Sequence, residues 1–476
     1  LGFIKFDLLG LSTLRMISGA IRHILKRHHN VEEPTFTRVR EFYDKYLHPN
    51  VIDFDDQKVW ENIFHEGKWA GIFQMTNGGA QRFCQEAQPT SLLDFAAVTA
   101  IFRPGPLSAK AHSLYVANKS NPSQVHYEHP IIKEILGDTY GLLVFQEQLA
   151  MLAHKLGDDL SLDEGNLLRK VLTKKGTGKD DIKTKLYNKF VRGCGKHGLT
   201  EDVAKNLWSK MEYFSGYGFN LSHAVSYGAV SFQCAWLSYY YPVEWMAAFL
   251  DKEPEEKKAG AINTAKSFGF DIVPPSINKS GRVWEIAEDG KTLIQPLAGI
   301  KGLGDSAIDQ IVANRPFNSI EEFLFNENIT YSKLNKKALD VLVRSKALDE
   351  LMDDRFTGMK HYWSAVALMR PRKEKNLIEN IEIYAPEGDF TDEEKLEHFA
   401  SLTGIFPLHE IMPQHIQNNL MQRGCPPISE YDPDLELVWF IPREVIRRKT
   451  KNGKDYWIIN TTDSNAFNAQ IRCWGV

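Results

Sequence analysis

The chain has 476 residues, 43% hydrophobic and 25% charged, with a formal net charge of −4. That is globular composition with apolar mass for three or four domains of ~100–200 residues, which excludes a disordered or fibrous chain. The most apolar stretch, 224–250, is interrupted by Ser226, Gln233, Pro242 and Glu244, short of the ~18 uninterrupted residues of a membrane span.

Nothing at the start resembles a secretory signal, and five cysteines without a CxxC pair read as reduced thiols. A soluble, cytoplasmic protein is expected. The chain opens without Met inside an apolar segment, Leu1-Gly2-Phe3-Ile4, so a cut or processed end is expected there. A short buried strand over 2–6 ends at Asp7, and apolar spacing through Leu8, Leu11, Leu14, Ile17, Ile21 and Leu25 predicts a helix. From there to about 265 the pattern is helical, with caps expected at Asp55-Asp56, Ser91, Asp163 and Thr200. Short strands are expected at Ile272-Val273 and Leu293-Ile294, then short helices over 308–313, 320–324 and 336–343. The polar segment 370–400 reads as a linker. Leu437-Val438-Trp439-Phe440, the Asn452-Gly453 turn and Tyr456-Trp457-Ile458-Ile459 predict a hairpin, followed by a third strand over 469–474. Three strands without closing partners suggest an incomplete domain, so the far end also reads as a cut.

Charge is uneven. From Arg169 to Lys196 there are ten Lys or Arg against two acids, a local balance of +8 on an acidic chain. Such a stripe suits a polyanion, although a charge run is more often a solvated helix face. His126 and His129 lack accompanying ligands for zinc. Lys175-Gly176-Thr177-Gly178-Lys179 fails the phosphate-loop spacing. Ile300-Lys301-Gly302-Leu303-Gly304-Asp305-Ser306-Ala307 resembles a helix-hairpin-helix turn, whose backbone N–H groups reach DNA phosphate without reading sequence. Lys333-Leu334-Asn335-Lys336-Lys337 is a candidate for its second copy.

Several segments match one family in order. Gly2-Phe3-Ile4-Lys5-Phe6-Asp7-Leu8-Leu9-Gly10-Leu11 resembles the palm segment carrying the third catalytic carboxylate of the C-family bacterial and phage replicative DNA polymerases, the polymerase III alpha subunits. Gly71-Ile72-Phe73-Gln74, Phe102-Arg103-Pro104-Gly105-Pro106 and Phe145-Gln146-Glu147-Gln148 are similar to the fingers blocks that follow, with Leu168-Arg169-Lys170 and Lys174-Lys175 next. Gly216-Tyr217-Gly218-Phe219-Asn220-Leu221-Ser222-His223 resembles the nucleotide-site block, with Leu221 where the family usually has Lys.

The resemblance implies a multidomain, mainly α-helical protein. Its parts would be a palm remnant (1–14), fingers (15–265), a tandem helix-hairpin-helix region (266–355), a helix and linker (356–400) and a truncated β-barrel, part of an OB-fold (401–476). The implied activity is template-directed DNA synthesis with two Mg²⁺ ions. Asp7, by itself an ordinary cap for the expected helix, becomes a metal ligand and catalytic residue on this resemblance. An Asp-x-Asp pair carrying the other carboxylates is expected upstream; Asp53-Phe54-Asp55 reads as a cap instead. Lys5, Arg169, Lys170, Tyr217, Phe219, Asn220, Ser222 and His223 are implied to hold the dNTP. Lys174, Lys175, Lys301, Gly302 and Gly304 are candidates to hold primer-template DNA, and Arg447, Arg448 and Lys449, basic beside Trp439, Tyr456, Trp457 and Trp474, suit single-stranded DNA on a small barrel. The family often carries a glutamine-led clamp-binding peptide, and none is found over 350–400. A sliding clamp and other replisome subunits are therefore partners by resemblance alone. The alternatives are a non-catalytic DNA-binding subunit, or the downstream half of a split polymerase that needs an upstream half to act.

Overall fold

The first described helix, Ser12–His29, starts later than the 8–25 spacing suggests, with Leu11 in the capping position. It buries Met16, Ile17, Ala20, Ile21, Ile24 and Leu25 on one face. Its last turn holds Lys26, Arg27, His28 and His29, where the helix dipole favours cations, before Asn30 ends it at φ 55°. The computed structural model describes residues 10–173, 180–215, 218–254, 257–404, 412, 414–431, 436–450, 453–463 and 469–474. The strand expected over 2–6 lies outside them. The chain divides into two compact units, Leu1–Pro242 and Val243–Val476, a division that falls within the span 15–265.

In the first unit the local start signals act largely as expected. Asp56 accepts from Lys58 N at 3.1 Å, Ser91 Oγ from Asp94 N at 3.2 Å and Thr200 Oγ1 from Val203 N at 3.4 Å. Asp163 is a correction. The helix Leu162–Thr173 begins one residue before it, and Ser161 caps instead: its Oγ accepts from Glu164 N while Glu164 accepts from Ser161 N. This reciprocal box satisfies two N–H donors, so Asp163 merely sits in the first turn.

Two cores hold this unit. Trp60, Phe64, Phe95 and Phe232 are fully buried, with ring centroids 4.9 Å apart for Trp60 and Phe232 and 5.0 Å for Phe64 and Phe95. Leu149, Leu168, Phe190, Trp208 and Met211 join the helices Gln146–Leu156, Leu162–Thr173, Asp180–Lys196 and Glu201–Ser215. Gly193 permits close packing there, since a Cβ would lie 2.2 Å from Leu156 O. The buried Asp94 carboxylate is balanced by Lys119 at 2.8 Å and by the Tyr115 and Tyr140 hydroxyls.

The second unit carries a small mixed sheet. Strand β1 (Asp271–Val273) runs parallel to β3 (Thr292–Ile294), and β2 (Glu285–Ile286) pairs antiparallel with β3. The expected short helices follow as Asp305–Asn314, Ile320–Leu324 and Lys336–Arg344, the last two capped by Ser319 and Asn335. Ile308, Ile311, Phe317, Phe323, Leu339, Leu342 and Tyr362 form their core.

The linker expected over 370–400 is instead largely helical, as Glu374–Ile383 and Asp392–Thr403. Only Leu377, Phe399, Leu402 and Thr403 are buried on these helices, too few for apolar periodicity to reveal them. A Thr391–Glu394 capping box opens the second, and Gly404 at φ 71° closes it.

Three antiparallel strands come last: β4 (Ile441–Lys449), β5 (Asp455–Thr462) and β6 (Ala469–Trp474). The first lies beyond the apolar run 437–440, from which Trp439 makes only an isolated bridge to Pro427. The described strands form an open three-stranded sheet and close no barrel, as a truncated barrel would. The mainly helical class stands. No helix among the described residues is long and apolar enough to cross a membrane.

Candidate functional site

In the first unit, segments far apart in sequence meet around Phe219. Phe145 and Phe219 form a parallel bridge, with Gln146 N donating to Phe219 O at 2.8 Å and Phe219 N to Val144 O at 3.3 Å. Glu147 uses both carboxylate oxygens, accepting from Asn220 Nδ2 at 2.8 Å and Leu221 N at 2.9 Å. Asn220 also caps the helix Leu221–Tyr240, its Oδ1 accepting from His223 N at 2.8 Å and from the Ser222 hydroxyl at 2.7 Å. The Gln146 amide donates to Gly218 O at 2.7 Å and accepts from Arg169.

On the open side lie aromatic and cationic groups. The Arg103 guanidinium sits 3.7 Å over the Phe219 ring. His223 is exposed and lies between Phe219, which it meets edge-on at 5.4 Å, and Tyr227, tilted at 4.1 Å, and Tyr227 meets Phe73 at 5.4 Å. The blocks at 71–74, 102–106, 145–148 and 168–170 and the described part of the last, 218–223, are thus brought together. Arg103, Gln146 and Glu147 stand within quoted blocks, but their partners are long-range, and sequence reasoning gave them no role. Lys170 is exposed on the same helix as Arg169. Lys5, Asp7, Lys174, Lys175 and Tyr217 lie outside the described residues.

The basic stripe is less open than its count suggests. Lys189 pairs with Glu164 at 2.9 Å, Arg192 and Lys196 both pair with Asp158, and Lys183 pairs with Glu212. Hydrogen bonds from Lys196 and then Arg192 hold the Asp158 carboxyl below its ordinary range. The one from Lys189 does the same for Glu164. Intramolecular acids already neutralise these four cations.

In the second unit, Gly302 takes φ 91° and Gly304 precedes the Asp305–Asn314 helix, the backbone freedom expected of a hairpin turn. A Cβ on Gly302 would lie 3.2 Å from Lys337 Cε, so the two candidate hairpin elements adjoin. Lys301 N is tied to Leu402 O at 2.8 Å. On the terminal sheet, Arg447 pairs with Asp455 and lies 5.6 Å from the Trp457 ring. Arg448 and Lys449 are exposed beside it, and Tyr456 stacks on Trp474 at 4.3 Å.

Residues 20–198 match the model of the bacterial DNA polymerase III alpha subunit finger domain, and 269–357 match a helix-hairpin-helix motif. The DNA polymerase III subunit alpha of Aquifex aeolicus is 30% identical over 98% of this chain and 38% of its own length. That of Xylella fastidiosa (strain Temecula1) is 34% identical over 75% of this chain and 29% of its own. That of Pseudomonas aeruginosa is 31% identical over 78% and 31%. The chain belongs to the DNA polymerase III alpha-subunit family. It spans about a third of the length of these curated relatives. The finger-domain match ends at residue 198, so the polymerase III alpha block at 216–223 is tied to the fingers by the Gln146 and Glu147 contacts rather than by that match.

Among the described residues, no group of three or more His, Cys, Asp or Glu is placed to hold a metal ion.

Proposed function

We propose that this chain is the fingers and DNA-holding part of a template-directed DNA polymerase, which joins a deoxynucleotide from a dNTP to a primer 3′ hydroxyl with release of pyrophosphate. The observation that carries the reading is the junction around Phe219, where Arg103, Arg169 and His223 gather beside aromatic rings on a backbone braced by Gln146 and Glu147. Guanidinium forks suit the triphosphate, and the rings suit base or sugar stacking. In this reading Asn220 and Ser222 act partly by fixing the block, since their polar atoms already bond one another, Glu147 and His223 N. Lys5, Lys170 and Tyr217 complete the proposed dNTP site, and Asp7 is the proposed carboxylate for Mg²⁺.

The hairpin residues Lys301, Gly302 and Gly304 hold duplex phosphate. Arg447, Arg448 and Lys449, with Tyr456 and Trp474, offer a basic and aromatic surface for single-stranded template, consistent with part of an OB-fold. Lys174 and Lys175 extend the phosphate contacts. A sliding clamp remains a proposed partner on family resemblance. The reading is tested by extension of a primed template by the full-length protein with one dNTP at a time. Incorporation of the complementary nucleotide alone is the expected result; no incorporation by a folded, DNA-bound protein would overturn it.

A second expected result concerns salt. Affinity for unrelated duplexes should fall steeply as salt rises from roughly 50 to 200 mM, because phosphate contacts release counterions. Lys183→Ala, in a cation already paired with Glu212, should leave that slope nearly unchanged. A flat salt response, or strong preference for one sequence, would remove the electrostatic reading.

A further inference from the structure

Beyond the span matched by the helix-hairpin-helix motif, the chain leaves the π-helix Trp363–Leu368 through Met369-Arg370-Pro371-Arg372-Lys373. Arg370 holds φ 50° immediately before a proline, a left-handed backbone that non-glycine residues seldom adopt. Such strain persists only where the surroundings impose it. Here they do. Arg370 is 8% exposed, its guanidinium lies 3.0 Å over the Tyr331 ring, and it donates to the Tyr331 carbonyl. Arg372 approaches the same ring at 5.0 Å, and its Nε donates to the Tyr331 hydroxyl at 3.2 Å.

Two guanidinium groups therefore share one phenol ring, and among the described residues neither has a carboxylate partner. This arrangement is unfavourable in the free protein. Desolvation, then the charge of Arg372, pulls the Arg370 pKa down to about 10. An anion beside the pair would relieve both effects. The ring they share opens the segment that carries Lys333 and leads into the helix Lys336–Arg344, whose first residues are Lys336 and Lys337; all three lysines are exposed. Lys337 in turn lies against the Gly302 turn. Glycine turn, lysine segment and arginine pair thus follow one another.

The geometry points to a phosphate clamp: Arg370 and Arg372, held on Tyr331, take a backbone phosphodiester of DNA as a third contact beside the two hairpin elements. The clamp rests on the DNA-binding reading of those hairpins. Arg372, exposed, makes the contact, while Arg370 orients Tyr331 and supplies charge from behind. A fork of N–H donors on a rigid ring matches two phosphate oxygens at once, which a lysine ammonium does not. A phosphate contact carries no base information, so the clamp is indifferent to sequence.

The test is duplex affinity of the full chain across a salt series, with folding checked by thermal melting. Arg372→Ala should raise Kd several-fold and reduce the log–log salt slope by about one. Arg372→Lys should restore the slope but not the full affinity. Lys375→Ala, in a neighbouring exposed cation, should change neither greatly. Arg370→Ala is the riskier variant, since burial makes it a stability change as well, so Arg372 decides the matter. An unchanged slope in Arg372→Ala, with Lys301→Ala and Lys337→Ala still lowering it, would overturn the clamp and leave the hairpin reading standing. Unchanged slopes in all three would overturn both. Inorganic pyrophosphate that protects the wild-type chain but not Arg372→Ala against thermal unfolding, with DNA binding unaltered, would assign the pair to a free phosphate and overturn the DNA reading.

Discussion

Asp7→Asn, introduced into the full-length protein, should lower primer extension by about 1,000-fold or more while leaving duplex affinity unchanged. The size follows from the role proposed: a metal ion stabilises transition-state charge by several kcal/mol, and each ~1.4 kcal/mol is tenfold in rate. Asn matches Asp in shape but lacks the negative charge that holds Mg²⁺. The competing role predicts silence, because Asn caps a helix about as well as Asp. The described helix that follows weakens that alternative. It begins at Ser12 with Leu11 in the capping position, so Asp7 is too far upstream to cap it. Extension by the Asp7→Asn protein is measured at saturating dNTP and a fixed primed template. Full activity would remove the catalytic assignment.

What the sequence made legible was mostly local. Ser91, Asp56 and Thr200 cap helices because the cap and its N–H donor lie within a few residues of one another. The nucleotide block was legible by resemblance, yet the reason it holds its shape was not. Glu147 and Asn220 are 73 residues apart, and nothing in either segment announces the other. The basic stripe failed differently: counting charges from 169 to 196 overlooks Asp158, Glu164 and Glu212, which fold onto it. Polarity also misled at 370–400, where helices need only an occasional Leu or Phe against a neighbouring core. At the end of the chain, the apolar run 437–440 drew the strand assignment away from 441–449. That strand, ending in Arg447-Arg448-Lys449, has no clean apolar alternation and is held by pairing to Asp455–Thr462. The Arg370 and Arg372 pair was invisible for the same reason as Glu147, since its shared ring comes from residue 331.

Arg169→Ala and His223→Ala should each cost on the order of 2–4 kcal/mol in transition-state stabilisation, about 30- to 1,000-fold in kcat/KM for dNTP. The two are expected to differ in how the loss divides. His223 is exposed and its side chain meets the Phe219 and Tyr227 rings, edge-on and tilted, so its removal leaves the block's backbone ties intact and should act mainly through dNTP contact. Arg169 hydrogen-bonds Gln146, whose amide holds Gly218 O, so its removal takes away a phosphate donor and loosens the strut together. Gln146→Ala separates those effects, because it breaks the strut while leaving the Arg169 charge in place. A smaller loss in Gln146→Ala than in Arg169→Ala assigns the difference to direct phosphate contact. Arg169→Lys should recover only part of the activity, since a single ammonium cannot satisfy Gln146 and a phosphate with the same geometry. Single-turnover incorporation at varied dNTP separates KM from the chemical step. Near-normal values for Arg169→Ala and His223→Ala in folded protein would make these residues structural and move the triphosphate away from Phe219.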